Sequence, residues 1–401
     1  MRSATAITFE LDDIQFAADE LVQQIKGKLE FGKEGVGILY AQPNMECGEL
    51  SRILHEKLGC PIIGGTTAGG ALLSSEGHHE LAVLLHVLTS DDCFFSVAIS
   101  DSMDQNPEQS IVDTYKQALH QLEQKDAGAQ PKVIYCITSI VQSCSSDDTL
   151  AILSEECSGI PIFGFVAADD FEFCHQQLFL NGVSRNDAIA MLLISGNVNV
   201  IFEVKNLAGS QLLSKRKITK AHGNTICEID GKPAYEYLKE FPFIDDETKV
   251  LWNYQFFTEM QNEADNDGIS VSRALNTYDK ITGEIECFAK VPENSYIGLQ
   301  YCKDSDVVTS CKAALSDLKT KIAQAETSEY KYSTVLFASC SLRNMFLADQ
   351  KNAEGELIHE LLPASLVASG IYGFGEIAPT SVKNGKAVNR FHNATMIICA
   401  F

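Results

Sequence analysis

The sequence predicts an α/β fold with an α+β tendency: mixed β-sheets flanked by helices, built from internally repeated strand-helix-strand-strand units and divided into two domains. Three observations predict it. The same order of short aliphatic runs and a helical run recurs along the chain. Glycines fall at matched places in it, Gly64 and Gly164 lying 100 positions apart. The connections after those glycine-bearing strands are short, which demands antiparallel returns and argues against a TIM barrel or a simple Rossmann fold.

The first copy spans about 36–99. It reads VGILYA (36–41), a helical run to Leu58, GCPIIGGTTAGG (59–70), ELAVLLHVL (80–88) and FFSVAI (94–99). The helix rests on the spacing of Leu50, Ile53, Leu54 and Leu58. The strands rest on β-branched and aliphatic runs bounded by Gly, Pro and Asp. The second copy, about 132–204, reads KVIYCIT (132–138), a run to Cys157, SGIPIFGFVAADD (158–170), DAIAMLLI (187–194) and NVIFEV (199–204). A weaker third copy, about 333–401, reads STVLFASC (333–340), a helical run 356–369, SGIYGFGEIAP (369–379) and NATMIICAF (393–401). The tripeptide Ser-Gly-Ile at 158 and 369 aligns Gly375 with Gly164 and Gly64.

Between the second and third copies the pattern changes. Residues 224–241 read as a strand, an Asp-Gly turn and an amphipathic helix. Residues 275–292 read as a hairpin around Thr282–Gly283, and 259–268 as an exposed polar loop. Asp304–Ala325 reads as a helix with Val308, Cys311, Leu315, Leu318 and Ile322 on one face. The basic, weakly patterned stretch Ser214–Lys220 follows the second copy, so the domains are expected at 1–215 and 216–401.

Composition narrows the function. The chain has 401 residues and a formal net charge of −23. Such a surface repels phosphate backbones and anionic bilayers, so neither nucleic acid nor membrane is an expected partner. No apolar run reaches the ~18–20 residues of a membrane span. Residues 1–30 carry acids where a secretion signal needs an apolar run. Thirteen cysteines, eight or more positions apart and without a CxxC, suit a reducing compartment, and a cytoplasmic protein is expected.

Catalytic signatures are poorly represented. Gly373–Ala378 fits G-x-G-x-x-A, but Pro379 stands where the following helix should propagate, and 387–401 hold no acid for a ribose. The pairs His55-Glu56, His79-Glu80 and His359-Glu360 complete no H-E-x-x-H. No G-x-S-x-G elbow or phosphate-binding P-loop occurs. The nucleophile pair weighed is Cys340 with His392.

Two places hold concentrated polar chemistry. Gly64, Gly65, Thr66 and Thr67 open a Gly-rich loop whose N–H groups and hydroxyls suit an anion nest, set against a bulged strand corner. The second copy has Phe165-Val-Ala-Ala-Asp-Asp170 there, which reverses the charge and makes any ligand site asymmetric. The third copy sets polar groups among its strands: Cys340 and Arg343, Glu354 and Glu356, Glu376 beyond the Gly373/Gly375 corner, then His392 and Asn393. Two readings stand side by side. One is an Arg343–Glu376 ion pair with Asn393 satisfying a turn. The other is a pocket in which Arg343 clamps a carboxylate, His392 and Asn393 add hydrogen bonds, and Glu376 takes an amine or orients Arg343.

The chain resembles the FIST family, named for F-box and intracellular signal transduction proteins. The resemblance rests on VGILYA, GCPIIGGTTAGG and GIPIFGF in the first half. In the second half it rests on EIDGKPAYEYL (228–238), SCSLR (339–343), GIYGFGEIAP (370–379) and FHNAT (391–395). It implies a sensory module for a small, amino-acid-like or otherwise carboxylate-bearing ligand. With no F-box, kinase or cyclase segment in the sequence, such a sensor is expected to regulate a separate partner protein. Some stand-alone bacterial members resemble haem-bound nitric-oxide sensors acting on a histidine kinase. That alternative implies non-covalent haem b, with His392 as the candidate axial ligand. An enzyme using Glu376 and His392 for acid–base work is the further alternative.

Overall fold

The computed structural model describes residues 1–241, 251, 256–261, 269–327 and 329–401. Three units of one plan make up the body. Unit 1 comprises β1 (Arg2–Thr8), α1 (Ile14–Lys28), β2 (Glu34–Ala41), α2 (Cys47–Leu58), β3 (Ile62–Thr66), a hairpin of β4 (Ala71–Ser74) and β5 (Gly77–Glu80), and β6 (Val83–Ser90). Unit 2 repeats it with β7 (Cys93–Ile99), α3 (Pro107–Lys125), β8 (Val133–Thr138), α4 (Ser146–Glu156), β9 (Ile162–Val166), the hairpin β10 (Leu178–Leu180) and β11 (Val183–Arg185), and β12 (Ile189–Gly196).

Unit 3 begins with β13 (Ile201–Asn206) and is then interrupted. The insert holds β14 (Ser210–Gln211), β15 (Arg216–His222), β16 (Thr225–Ile229), β17 (Lys232–Pro233), α5 (Ala234–Leu238), β18 (Phe256–Gln261), β19 (Ser270–Tyr278), β20 (Ile285–Cys287) and β21 (Tyr296–Tyr301). Unit 3 resumes with α6 (Asp304–Ala325), β22 (Thr334–Cys340), α7 (Ser341–Phe346), α8 (Ala353–Leu361), β23 (Val367–Gly373), the hairpin β24 (Glu376–Lys383) and β25 (Lys386–His392), and β26 (Thr395–Ala400). The 215/216 boundary expected from the sequence falls inside the insert, and the β13–β26 ladder runs across it.

Each unit contributes four strands to its own sheet. A parallel pair (β2–β3, β8–β9, β22–β23) is flanked by the last strand of the unit, which in turn pairs with the first. The hairpins are exchanged. That of unit 1 pairs through β4 with β23, that of unit 2 through β10 with β3, and that of unit 3 through β24 with β9. The exchange closes into a ring, so no unit's sheet is complete without another unit.

The inner faces of the three sheets share one core, with Ile38 and Tyr40 from the first, Ile137 and Phe165 from the second, and Leu336 and Ile371 from the third. Helices cover each outer face: α1 and α2, α3 and α4, α6 and α8. Sheets covered on both sides take near-continuous apolar strands, which is why VIYCIT is buried throughout. Gly64 and Gly164 serve the same joint. A Cβ on Gly64 would lie 2.0 Å from the Leu39 carbonyl oxygen, and one on Gly164 1.7 Å from that of Cys136. The ladders pair Leu39 with Gly64, Cys136 with Gly164 and Phe337 with Gly370. The third equivalent is therefore Gly370, and the Ser-Gly-Ile alignment that chose Gly375 is out of register.

Other differences have local causes. The helix expected over 356–369 is α8, which stops before Pro363, so Val367 onward pairs in parallel with β22. Helices α1 and α3, absent from the repeat pattern, precede the parallel pairs as α6 does in unit 3. Of the expected loop 259–268, Glu259–Gln261 continue β18, and 262–268 lie outside the described residues. The insert's strands run from β15 through β16, β20, β19 and β18, and β21 pairs with both β18 and β15. They enclose a core of their own around Ile218, Tyr237, Leu275 and Leu299.

Candidate functional site

The polar residues of unit 3 divide into two groups. Arg343, at the start of α7, is fully buried and turned toward α8. Its Nε and Nη2 donate to Glu354 Oε1 at 3.0 and 2.6 Å. Glu354 Oε2 accepts from Ser339 Oγ and from the Tyr372 hydroxyl, each at 3.0 Å. Burial acts to lower the Arg343 pKa, but the Glu354 charge and its hydrogen bonds outweigh it and hold the guanidinium charged. Burial, then the Glu354 charge, pushes the Tyr372 phenol far up, so it donates as a neutral hydroxyl. The partner of Arg343 is thus Glu354, not Glu376.

The second group lies at the open end of the β24–β25 hairpin, where Glu376 pairs with Phe165 of β9. Glu376 and His392 are paired across that hairpin and both are buried. Burial pushes the Glu376 carboxyl well above the usual range, although the Thr395 N–H, the Cys340 thiol and the Arg343 charge all act to lower it. Burial also drops His392 to about 3, helped by the Arg273 charge. Neither ring nitrogen of His392 meets a partner at hydrogen-bond geometry. The Cys340 thiol is pushed well up by burial and then by Glu376. Nucleophilic catalysis needs a thiolate beside a base, and Cys340 with His392 offers neither.

Cys340 and Asn393 do reach a common cavity, of about 370 Å³, whose walls come from three parts of the chain. Unit 2 supplies Cys144, Ser145 and Val166, and the segment after β9 supplies Phe171 and Phe173. The insert supplies Ala274, Asn276 and Phe288. Unit 3 supplies Cys340, Leu342, Phe374 and Asn393. The cavity sits beyond the carboxyl ends of β9 and β22, where α/β sheets place ligands. Phe173 is its hub, its ring centroid 4.7 Å from that of Phe374 and 5.7 Å from that of Phe288. Asn393 Oδ1 accepts from the Ala274 N–H at 3.4 Å, which leaves its NH₂ as the group to offer a ligand.

Arg273 rivets the insert over this cavity. It is nearly buried, pairs with Asp147 in the first turn of α4 at 3.2 Å, and donates to the carbonyls of Phe391 (2.9 Å) and Lys290 (3.0 Å). Lys290 adds a pair with Asp148.

Arg343, Glu376 and His392 do not line the cavity, and Gly373 and Gly375 only flank Phe374 on its wall. At Gly373 a Cβ would meet the Val166 carbonyl oxygen at 2.9 Å, and at Gly375 it would lie 2.2 Å from the Phe391 ring. Both glycines let unit 3 pass close to unit 2. A haem iron held by His392 requires an open slot beside the imidazole for the porphyrin. His392 is fully buried in the β24–β25 pair and is not on the wall of the cavity above, so it does not fit the group. Gly64, Gly65, Thr66 and Thr67 of the Gly-rich loop are likewise internal. Thr66 Oγ1 donates to the Ala168 carbonyl at 2.7 Å and Thr67 Oγ1 to that of Ala71 at 2.6 Å. Thr67 Oγ1 also accepts from the Tyr372 N–H at 3.3 Å. These hydroxyls join unit 1 to units 2 and 3.

The sequence did not single out the aromatic wall or Arg273, since isolated Phe residues and one Arg in a strand carry no pattern. The doublet of phenylalanines in Phe171-Glu-Phe173, directly after the acidic Asp169-Asp170, was the available signal.

The FIST N domain matches residues 35–232 and the FIST C domain matches 234–379. The chain belongs to the FIST family, whose domains are in general sensor domains of signal transduction that bind small ligands. A search of curated proteins found no match. Among the described residues no helix is long and apolar enough to cross a membrane.

Proposed function

We propose that this chain senses a compact small molecule in the cavity between unit 2, the insert and unit 3, and passes the signal to a separate partner protein. The observation that carries the reading is the composite wall. A ligand there touches all three parts at once, so binding bears directly on how the Arg273-riveted insert sits on the body. The walls call for an apolar or aromatic body, and the Asn393 amide for a hydrogen-bond acceptor such as the carboxylate of an amino-acid-like ligand. In this reading Arg343, paired with Glu354 through Nε and Nη2 and absent from the cavity wall, is not the clamp. The thirteen cysteines are all free thiols, which supports a reducing, cytoplasmic setting.

The test is a thermal-shift screen of aromatic and branched amino acids and their acids, repeated with A274W. Ala274 is buried on the cavity wall, and the indole fills the space. A ligand at about 100 Kd stabilises by ~2.7 kcal/mol. A hit is expected to shift Tm in the wild type and to do nothing in A274W. An equal shift in A274W overturns the reading.

A further inference from the structure

The segment between β9 and β10 has two faces, and its second face carries metal-binding chemistry. Phe171 and Phe173 point into the cavity. Glu172, Cys174 and His175 point outward into an open polar depression of about 430 Å³, which they share with Gln176 and with Pro43 of unit 1. One donor atom from each of Glu172, Cys174 and His175 lies within 4.8 Å of the others, and Glu172 Oε2 is 3.1 Å from His175 Nε2. A tetrahedral zinc site, with bonds of about 2.0–2.3 Å, spaces its donors about 3.3–3.8 Å apart. Small rotamer changes therefore close the three around one ion.

Two features set this group apart from ordinary exposed side chains. The backbone beneath it is fixed. The carboxylate of Asp169, itself buried, accepts N–H bonds from Glu172, Phe173, Cys174 and His175 at 2.8–3.0 Å. That anchor holds Phe171 and Phe173 at φ 65° and 59°, a region bulky residues rarely enter. Beside the triad, Gln176 is 1% exposed and lines the same depression, yet its Nε2 has no hydrogen-bond partner. A buried, unpartnered amide donor on the wall that the three metal-ligand side chains share can serve a water or other oxygen ligand at the fourth position of an ion. Cys174 is also the one exposed cysteine of the thirteen.

We infer that Glu172, Cys174 and His175 bind a borderline-soft divalent cation of the zinc class, with the Gln176 amide donating to its fourth, oxygen ligand. Thiolate, imidazole and carboxylate together select zinc-like ions over magnesium or calcium. On binding, the Cys174 S–H proton passes to solvent as the metal–sulfur bond forms, with no change of oxidation state. The ion stiffens the same segment whose phenylalanines wall the cavity. The metal site stands on its own donors, and only its link to sensing rests on the cavity being the ligand site.

The test uses the full chain carrying C227S, because His222, Cys227 and Glu284 form a second group of candidate ligands in the insert. Co²⁺ titration is read by the thiolate-to-cobalt charge-transfer band, followed by displacement with Zn²⁺. C227S is expected to give the band at one equivalent, and C227S/C174S none, with apparent affinity falling at least 100-fold. Q176L in the same background is expected to lose about 10-fold. Amide hydrogen exchange over 170–177 is expected to slow with Zn²⁺ in C227S and not in C227S/C174S. No band in C227S, or an undiminished band in C227S/C174S, overturns the metal site. A normal band with unchanged exchange overturns the stiffening of the cavity wall.

Discussion

Replacing Arg343 with Met separates a ligand clamp from a structural ion pair. The side chain is fully buried, and two of its N–H groups end on Glu354 Oε1. Met keeps most of the volume and removes the charge, so Glu354 is left with only the Ser339 and Tyr372 hydroxyls. Removing one partner of a buried pair costs about 3–5 kcal/mol, because the other charge stays buried. E354Q leaves the guanidinium stranded and is expected to cost a similar amount. The double variant R343M/E354Q strands no charge, and Gln still offers an oxygen to Ser339 and Tyr372. It is expected to be less destabilised than either single variant, a coupling of about 3 kcal/mol or more. Urea unfolding followed by circular dichroism measures all four proteins. Singles within about 1 kcal/mol of wild type, or strict additivity, refute the ion pair as the element that fixes α7 and α8 against β22.

Two fully buried histidines and one buried acid contribute to the pH dependence of stability, and His78 and His79, also lowered by burial, act in the same direction as the two histidines. His86 and His392 sit near 3 when folded, both chiefly through burial, against about 6.5 unfolded. Their contribution is complete above pH 6.5 and declines as pH falls toward 3, by up to ~1.4 kcal/mol per pH unit for each. Urea midpoints between pH 7.5 and 5 measure the slope, and H392Q is expected to reduce it. Glu376 has the opposite sign: its folded pKa is raised, so its stabilising contribution is present below about pH 4.5 and is lost as pH rises. E376Q, close in shape to the protonated acid, is expected to match or exceed wild-type stability at pH 7.5, with the difference shrinking toward pH 4.5. The glycine joints are expected to be intolerant: G164A and G64A each destabilise by more than about 3 kcal/mol. G27A in α1, where an added Cβ meets nothing within 4 Å, stabilises by about 0.5–1 kcal/mol. Thermal denaturation of purified variants checks each.

Much of the fold was legible because its strands are buried on both faces. Continuous runs such as VGILYA and VIYCIT mark the parallel pairs, and their glycines mark where strand backbones meet side chains and carbonyls across the ladder. The helix Asp304–Ala325 was readable to the residue from its apolar face. The exchange of hairpins was not readable, because β4, β10 and β24 look the same whichever parallel pair accepts them. The candidate site was legible by neighbourhood only. Cys340 and Asn393 reach the cavity, whereas Arg343, Glu376 and His392, though close in sequence, turn into the protein interior. Direction depends on register: Gly370, not Gly375, aligns with Gly64 and Gly164, and the polar residues that follow shift with it. The aromatic wall comes from four separated segments, around Phe173, Phe288, Phe374 and Phe391, and no local spacing announces such a surface.

The claim that the composite cavity is the sensing site meets its most direct test in a crystal structure of the protein with any compound that raises its Tm. The compound is expected between Phe173, Phe374, Cys340 and Asn393, with the Arg343–Glu354 pair intact. A compound bound to Arg343 with Glu354 displaced, or seated against His392, would contradict it.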